Sequence, residues 1–219
     1  MNRTRDLLPG LLAAGLLAGC VSASVEQLKT RPVTRVASGD SVVVLGRHHR
    51  AEYETESDFI DCVRSAIDGK DGLAVMDERS FVDRMFPWFE PRMAPIDAAD
   101  MAKLLSDPAV AERLAETRIR YVVWLDGATR DGEEGGGMAC TIGPTGGGCL
   151  GLLWWEKNAA YEAAIWDLTD REAMGKITID ASGTSYVPAL IIPLPLIART
   201  QTTACNELGG QVSEFLGAR

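Results

Sequence analysis

An α/β fold, a mixed β-sheet with helices mainly on one face, is predicted by three observations. Val42-Val43-Val44-Leu45 is a short β-branched run, long enough for a strand and too short for a helix. Strand and helix patterns alternate in a βαβα order through the first half. From residue 152 onward strand-like stretches follow one another as an antiparallel meander, and one amphipathic helix closes the chain.

Taken in order, residues 21–39 are polar, contain Pro32 and hold no sustained period, so they read as a tether ahead of a fold that begins at Ser41. A strand over 41–46 leads into a polar loop. In residues 55–68 the apolar positions Phe59, Cys62, Val63, Ala66 and Ile67 recur at helical spacing, with Thr55 and Asp58 set as a capping box. Residues 73–77 form a second strand, Ser80 caps a short helix that Pro87 disrupts, and 97–118 is helical with a break at Asp107-Pro108. Residues 121–126 are a third strand.

Residues 127–151 are rich in glycine and show no apolar period, which predicts a long loop. Strands over 152–156 and 161–168 are joined by a tight turn at Lys157-Asn158, and 176–183 follows another turn at 170–175. Residues 187–198 are apolar but hold Pro188, Pro193 and Pro195. Proline opposes both a helix and a central strand, so an edge strand or extended packing segment is expected, with oligomeric membrane insertion as the alternative. The closing helix starts near Thr202 and carries the stripe Ala204, Cys205, Leu208, Val212, Phe215 and Leu216. This element order resembles the small periplasmic α/β domains of the amino-terminal TolB and curli-secretion lipoprotein type, a likeness of fold that spans roughly residues 41–216.

The chain opens with Arg3 and Arg5, an apolar run over 7–17 and Leu17-Ala18-Gly19-Cys20. That run is too short to span a bilayer, which takes about 20 apolar residues. The stretch resembles the lipobox of bacterial lipoprotein precursors. The resemblance implies cleavage before Cys20, a diacylglycerol on its sulfur and a fatty acid such as palmitate on its new amino group; several chains on one residue make a stable membrane anchor. Val21 stands where inner-membrane retention in that family favours Asp, which implies the outer membrane, facing the periplasm. The expected organisation is a signal peptide over 1–19, a lipidated tether over 20–40 and a single α/β domain over 41–219.

With 219 residues and 46% apolar side chains the chain suits one ordinary domain and excludes a largely disordered stalk. Loss of Arg3, Arg5 and Asp6 with the leader would take the net charge from −9 to −10, which opposes binding to nucleic acid or an anionic bilayer face. Beyond Cys20 four cysteines remain, an even set in a compartment where disulfides persist. Cys140 and Cys149 flank a short glycine-rich segment and are expected to be bridged. Cys62 and Cys205 both lie on inward helix faces; they are either bridged, if their helices are neighbours, or two inert buried thiols.

No catalytic signature stands in its required context, so the chain is read as non-catalytic, without a cofactor. Gly146-Gly147-Gly148-Cys149-Leu150-Gly151 matches a dinucleotide fingerprint in spacing, yet a strand rather than a helix follows it. Ala181-Ser182-Gly183 lacks the flanks of a nucleophile elbow. His48 and His49 lie just past the first strand beside Glu52, Glu54 and Glu56, a set able to hold a cation, although adjacent loop residues point apart and nothing supplies a third ligand; a solvated charged loop is the heavier reading. Trp154 and Trp155 are consecutive strand residues, so only one indole enters a single-faced core; the other is either covered by the chain's own loops or, left exposed, forms a candidate interface together with Trp88. These readings give a lipid-anchored envelope module that binds another envelope protein. The alternative is a periplasmic enzyme or small-ligand or metal binder using the His48/His49 loop.

Overall fold

The structure is a computed structural model, described here for residues 21–31, 40–48, 54–69, 73–144 and 146–217. The signal peptide and Cys20 lie outside the described residues. The described elements are six strands and five helices: β1 (Val21–Lys29), β2 (Ser41–Gly46), α1 (Ser57–Ile67), β3 (Ala74–Met76), α2 (Glu78–Arg84), α3 (Ala98–Ser106), α4 (Pro108–Thr117), β4 (Ile119–Gly143), β5 (Gly146–Asp167), β6 (Glu172–Ala189) and α5 (Thr200–Phe215). They form one sheet in the order β1-β6-β5-β4-β2-β3, a mixed α/β fold of the class predicted. β2 pairs in parallel with both β3 and β4. Two- and four-residue connections make β4-β5 and β5-β6 antiparallel neighbours, because a parallel pairing needs a long crossover.

Residue contacts divide the chain into two compact units. The first, an α/β unit, comprises the described residues within 23–129, 159–180 and 201–217. In it Val42, Val43 and Val44 are fully buried, as a strand covered on both faces requires. Val43 and Leu45 join Val122 and Trp124 of β4 and Ala164 and Trp166 of β5 in a cluster closed by Phe81, Met85, Met101, Leu105, Val110 and Leu114 from α2 to α4. On Tyr161 of β5 the ring of Phe59 from α1 stacks at 3.5 Å between centroids. α1 in turn meets α5, where a Cβ on Gly209 would come within 2.5 Å of Ala66 Cβ, and the disulfide Cys62–Cys205 joins the two helices across a Cα separation of 6.1 Å. The bridge resolves the alternative left open by the helix faces.

Several local expectations are corrected. The N-cap position of α1 is Glu56, which makes no side-chain capping bond, and no Thr55/Asp58 box forms, since the Thr55 hydroxyl donates to the Leu125 carbonyl instead. Asp77, not Ser80, caps α2 and accepts the Ser80 N–H at 3.0 Å. The break at Asp107-Pro108 stands as read: Asp107 ends α3, and its carboxylate accepts the Ala109 N–H to start α4. Residues 21–29, read as tether, are strand β1, running against β6 through Thr30 N–H to Met174 O at 3.0 Å and Ser22 Oγ to Ser182 Oγ at 3.0 Å. As an edge strand with mostly exposed side chains it has no apolar alternation to reveal it.

The second, a β unit, comprises residues 21–22, 130–158 and 181–200 of the described chain. The loop expected over 127–151 is instead the ends of β4 and β5, stapled by Cys140–Cys149 as expected. Nor is there a turn at Lys157-Asn158: Lys157 Nζ reaches Asp131 at 2.8 Å, and the bare α-carbon of Gly132 faces the Asn158 amide. At Gly136, with φ of +98°, a Cβ would collide with the Leu152 carbonyl, so glycine here is what lets two extended strands approach. Beyond β6 the chain doubles back, Tyr186 bridging Leu196 and Ala189 bridging Pro193.

Removal of the Cys62–Cys205 bridge, which spans 143 residues, is expected to cost about 2–5 kcal/mol, read as a lower urea midpoint for the Cys62→Ala/Cys205→Ala pair. The Cys140→Ala/Cys149→Ala pair, closing only 9 residues, is expected to lose less.

Candidate functional site

In the β unit the dominant feature is apolar surface left in water. Ten large apolar side chains among the described residues expose more than half of their area, and seven belong to this unit: Ile142 and Leu150 near the β4-β5 turn, and Leu190, Ile191, Ile192, Leu194 and Ile197 on the returning segment. Ile142 is 94% exposed and Leu190 82%. The two groups are joined, since the Cys149 N–H donates to the Ile191 carbonyl at 3.0 Å and Gly148 lies against Ile191. Residues 135–155 and 183–198 contain no Asp, Glu, Lys, Arg or His, so the patch is free of charge throughout. Edge pairing at Pro193 and Leu196 agrees with the sequence, but Leu190, Ile191, Ile192, Leu194 and Ile197, expected to pack, are exposed, because within this unit no second layer covers them.

The tryptophans divide differently from expectation. Trp88 packs half-buried against the helical cluster of the α/β unit, so it serves a core and is not part of the patch. Trp154 and Trp155 are both half-buried, and neither enters a core. They flank an open cleft of about 370 Å³ with Glu134 and Leu153, where the Trp154 ring lies across Gly135 at 3.0 Å from a would-be Cβ. Alternation decides the expected outcome only where one face of a strand is backed by a layer, and here both faces are open.

In the α/β unit His48 stands at the carboxyl end of β2. Its Nε2 lies 3.0 Å from Glu78 Oε1, which also accepts the Gly46 N–H at 2.8 Å, and its Nδ1 lies 3.4 Å from Glu54 Oε1. The hydrogen bond to Glu78 raises the His48 pKa above its ordinary value, against the opposing effect of burial. Beside it Arg47 holds both oxygens of Asp126, at 2.8 and 2.7 Å. Glu56, grouped with the histidines by sequence, is occupied elsewhere: it accepts the Thr129 N–H at 2.7 Å and the Tyr161 hydroxyl at 3.0 Å, fastening the start of α1 to β4 and β5. Tyr161 is pushed well above the usual phenol range, by burial first and by the Glu56 charge as well. His49 and Glu52 lie outside the described residues. Among the described residues no three His, Cys, Asp or Glu side chains gather as a metal site.

Because the His48 pKa is raised in the folded state, its ion pairs stabilise fully below the ordinary value of about 6.5 and fade as pH rises through the folded value. The melting temperature difference between the wild type and His48→Gln is therefore expected to be largest near pH 5.5 and to shrink toward about pH 8.5.

No protein-family model and no curated protein matches the chain. Solved structures similar to it include a PelC dodecamer from Paraburkholderia phytofirmans, at 15% identity and a TM-score of 0.40 over 90% of this chain and 99% of that one, and a variant of the same dodecamer, at 14% and 0.40 over 90% and 100%. A hypothetical protein, CT253 from Chlamydia trachomatis, is similar at 11% identity and a TM-score of 0.35 over 82% of this chain and 99% of that one.

Proposed function

We propose that this protein is a lipid-anchored outer-membrane lipoprotein, facing the periplasm, that acts as a non-catalytic binding module for another envelope protein. The observation that carries the reading is the charge-free apolar surface of the β unit, from Ile142 and Leu150 across to Leu190–Ile192, Leu194 and Ile197. Soluble proteins rarely leave so many large aliphatic side chains together in water, and such patches mark sites of contact. Leu17-Ala18-Gly19-Cys20 supports the anchor, and two disulfides suit an oxidising compartment. Anchoring raises the local concentration of the domain near its neighbours, so modest contacts suffice. Both Trp154 and Trp155 stand at the cleft in the same unit and extend the candidate interface. The membrane is reached through the N-terminal lipid, and the protein's net charge of −9 disfavours nucleic acid as a partner.

Mass spectrometry of the mature native protein is expected to find an acylated Cys20 at the amino terminus, and Cys20→Ser to leave the membrane fraction with an unchanged melting temperature. An unmodified thiol there sinks the anchor. Replacing Leu190, Ile191 and Ile192 together by Ser is expected to change stability by less than about 1 kcal/mol, since these side chains are already solvated. The same variant is expected to lose photo-crosslinks to an envelope protein formed from positions 150 and 191 in intact cells; crosslinks that persist, or none in the wild type, overturn the interface.

A further inference from the structure

A cavity of about 780 Å³ opens in the α/β unit where β4 begins, bounded by Asp40 ahead of β2, by the end of α4 and by the β5-β6 turn. Three arginines line it: Arg118, Arg120 and Arg171. Two of them hold an unusual backbone. Among the described residues nine have positive φ; seven are glycine, and the two that are not are Arg118 at 58° and Arg171 at 56°. A side chain in the left-handed region is strained, and glycine relieves the strain at no steric cost. Arginine at both positions around one cavity therefore stands against the backbone's preference, and strained residues of this kind cluster at ligand sites.

Neither Arg118 nor Arg171 forms an ion pair with a described residue, and both are exposed at the mouth. Arg120 sits deeper and is held in place. Its Nη1 donates to Asp40 Oδ2 at 2.8 Å, its Nε lies 3.5 Å from the buried Asp167 carboxylate, and its guanidinium lies 5.0 Å from the Tyr121 ring. That Nε is buried without a hydrogen-bond acceptor. Leu114, Ile119 and Leu168 give the cavity an apolar wall. Two carboxylates also line it: Asp40, engaged by Arg120, and Glu112, which opposes an incoming anion. A cation at the carboxyl end of α4 suits the helix dipole and gives Arg118 one structural role, but Arg171 lies in a turn, where no helix end accounts for it.

We propose that this cavity binds an oxyanion, a small molecule bearing a phosphate or carboxylate group, gripped by the Arg118 and Arg171 guanidinium groups above the fixed Arg120. Planar guanidinium forks match both oxyanions, and paired forks add geometric selectivity. The apolar wall accommodates a carbon skeleton beside the charged group. This site is independent of the lipid anchor and of the apolar surface of the β unit.

Calorimetric titration of the full chain with inorganic pyrophosphate and with citrate, at matched sodium chloride, tests the site. Saturable one-to-one binding that weakens with salt is expected for at least one probe. Pyrophosphate alone assigns a phosphate ligand and citrate alone a carboxylate. Arg118→Gly and Arg171→Gly are each expected to weaken binding at least tenfold while raising the melting temperature, because the left-handed strain is released. Glu112→Gln strengthens binding, and Arg79→Ala, on α2 and outside the cavity, leaves it unchanged. The proposal is overturned by no saturable heat with either probe, by full affinity in the glycine variants, or by a fall in their melting temperature, which would assign the arginines to holding the fold.

Discussion

Strand β2 has water on neither face, and the α/β unit is organised around that fact. Four consecutive apolar residues, Val42 to Leu45, alternate between the two sides of the sheet, so a layer is needed on each. Val43 and Leu45 meet the cluster closed by α2, α3 and α4, and β2 pairs in parallel with β4 over Ser41–Gly46 and with β3 over Ser41–Val43. Burial of each such side chain is worth about 1.5–3 kcal/mol. The disulfide between α1 and α5 then ties two helices distant in sequence by a covalent bond rather than by packing alone.

The β unit is held by different forces. Its strands are joined by backbone ladders, by Cys140–Cys149 and by glycines at close approaches such as Gly136, while much of its apolar side-chain area stays in water. Such a unit gains little from the hydrophobic effect by itself. The gain is left available to whatever covers Ile142, Leu150 and the Leu190–Ile197 segment, which is the ground for proposing a contact role there.

In the α/β unit polar chemistry gathers at the two ends of β2. At the carboxyl end of β2, His48 is clasped by Glu54 and Glu78, and Arg47 by Asp126, in arrangements that consume their own charges. Around the opposite end, Arg118 and Arg171 keep their guanidinium groups without described acidic partners while occupying backbone conformations that glycine prefers. Charges paired within the fold hold it together; exposed ones carried on strained backbone are where a ligand has something to contribute.

Periodicity alone determined the parts of this protein whose side chains are sorted by burial. The buried β2 run, the inward faces of Cys62 and Cys205 and the helix break at Asp107-Pro108 were all legible, because apolar spacing and proline chemistry act locally. Illegible were the segments whose structure rests on backbone pairing with distant strands: the polar edge strand β1, and the glycine-rich reach of β4 and β5 with no turn at Lys157-Asn158. There both faces are open to water, so no alternation is imposed on the side chains. Only the tertiary structure decided that Trp88 joins a core while Trp154 and Trp155 do not, and that three arginines separated by up to 53 positions surround one cavity. Left-handed backbone and spatial convergence are consequences of chain closure, which residue order does not display.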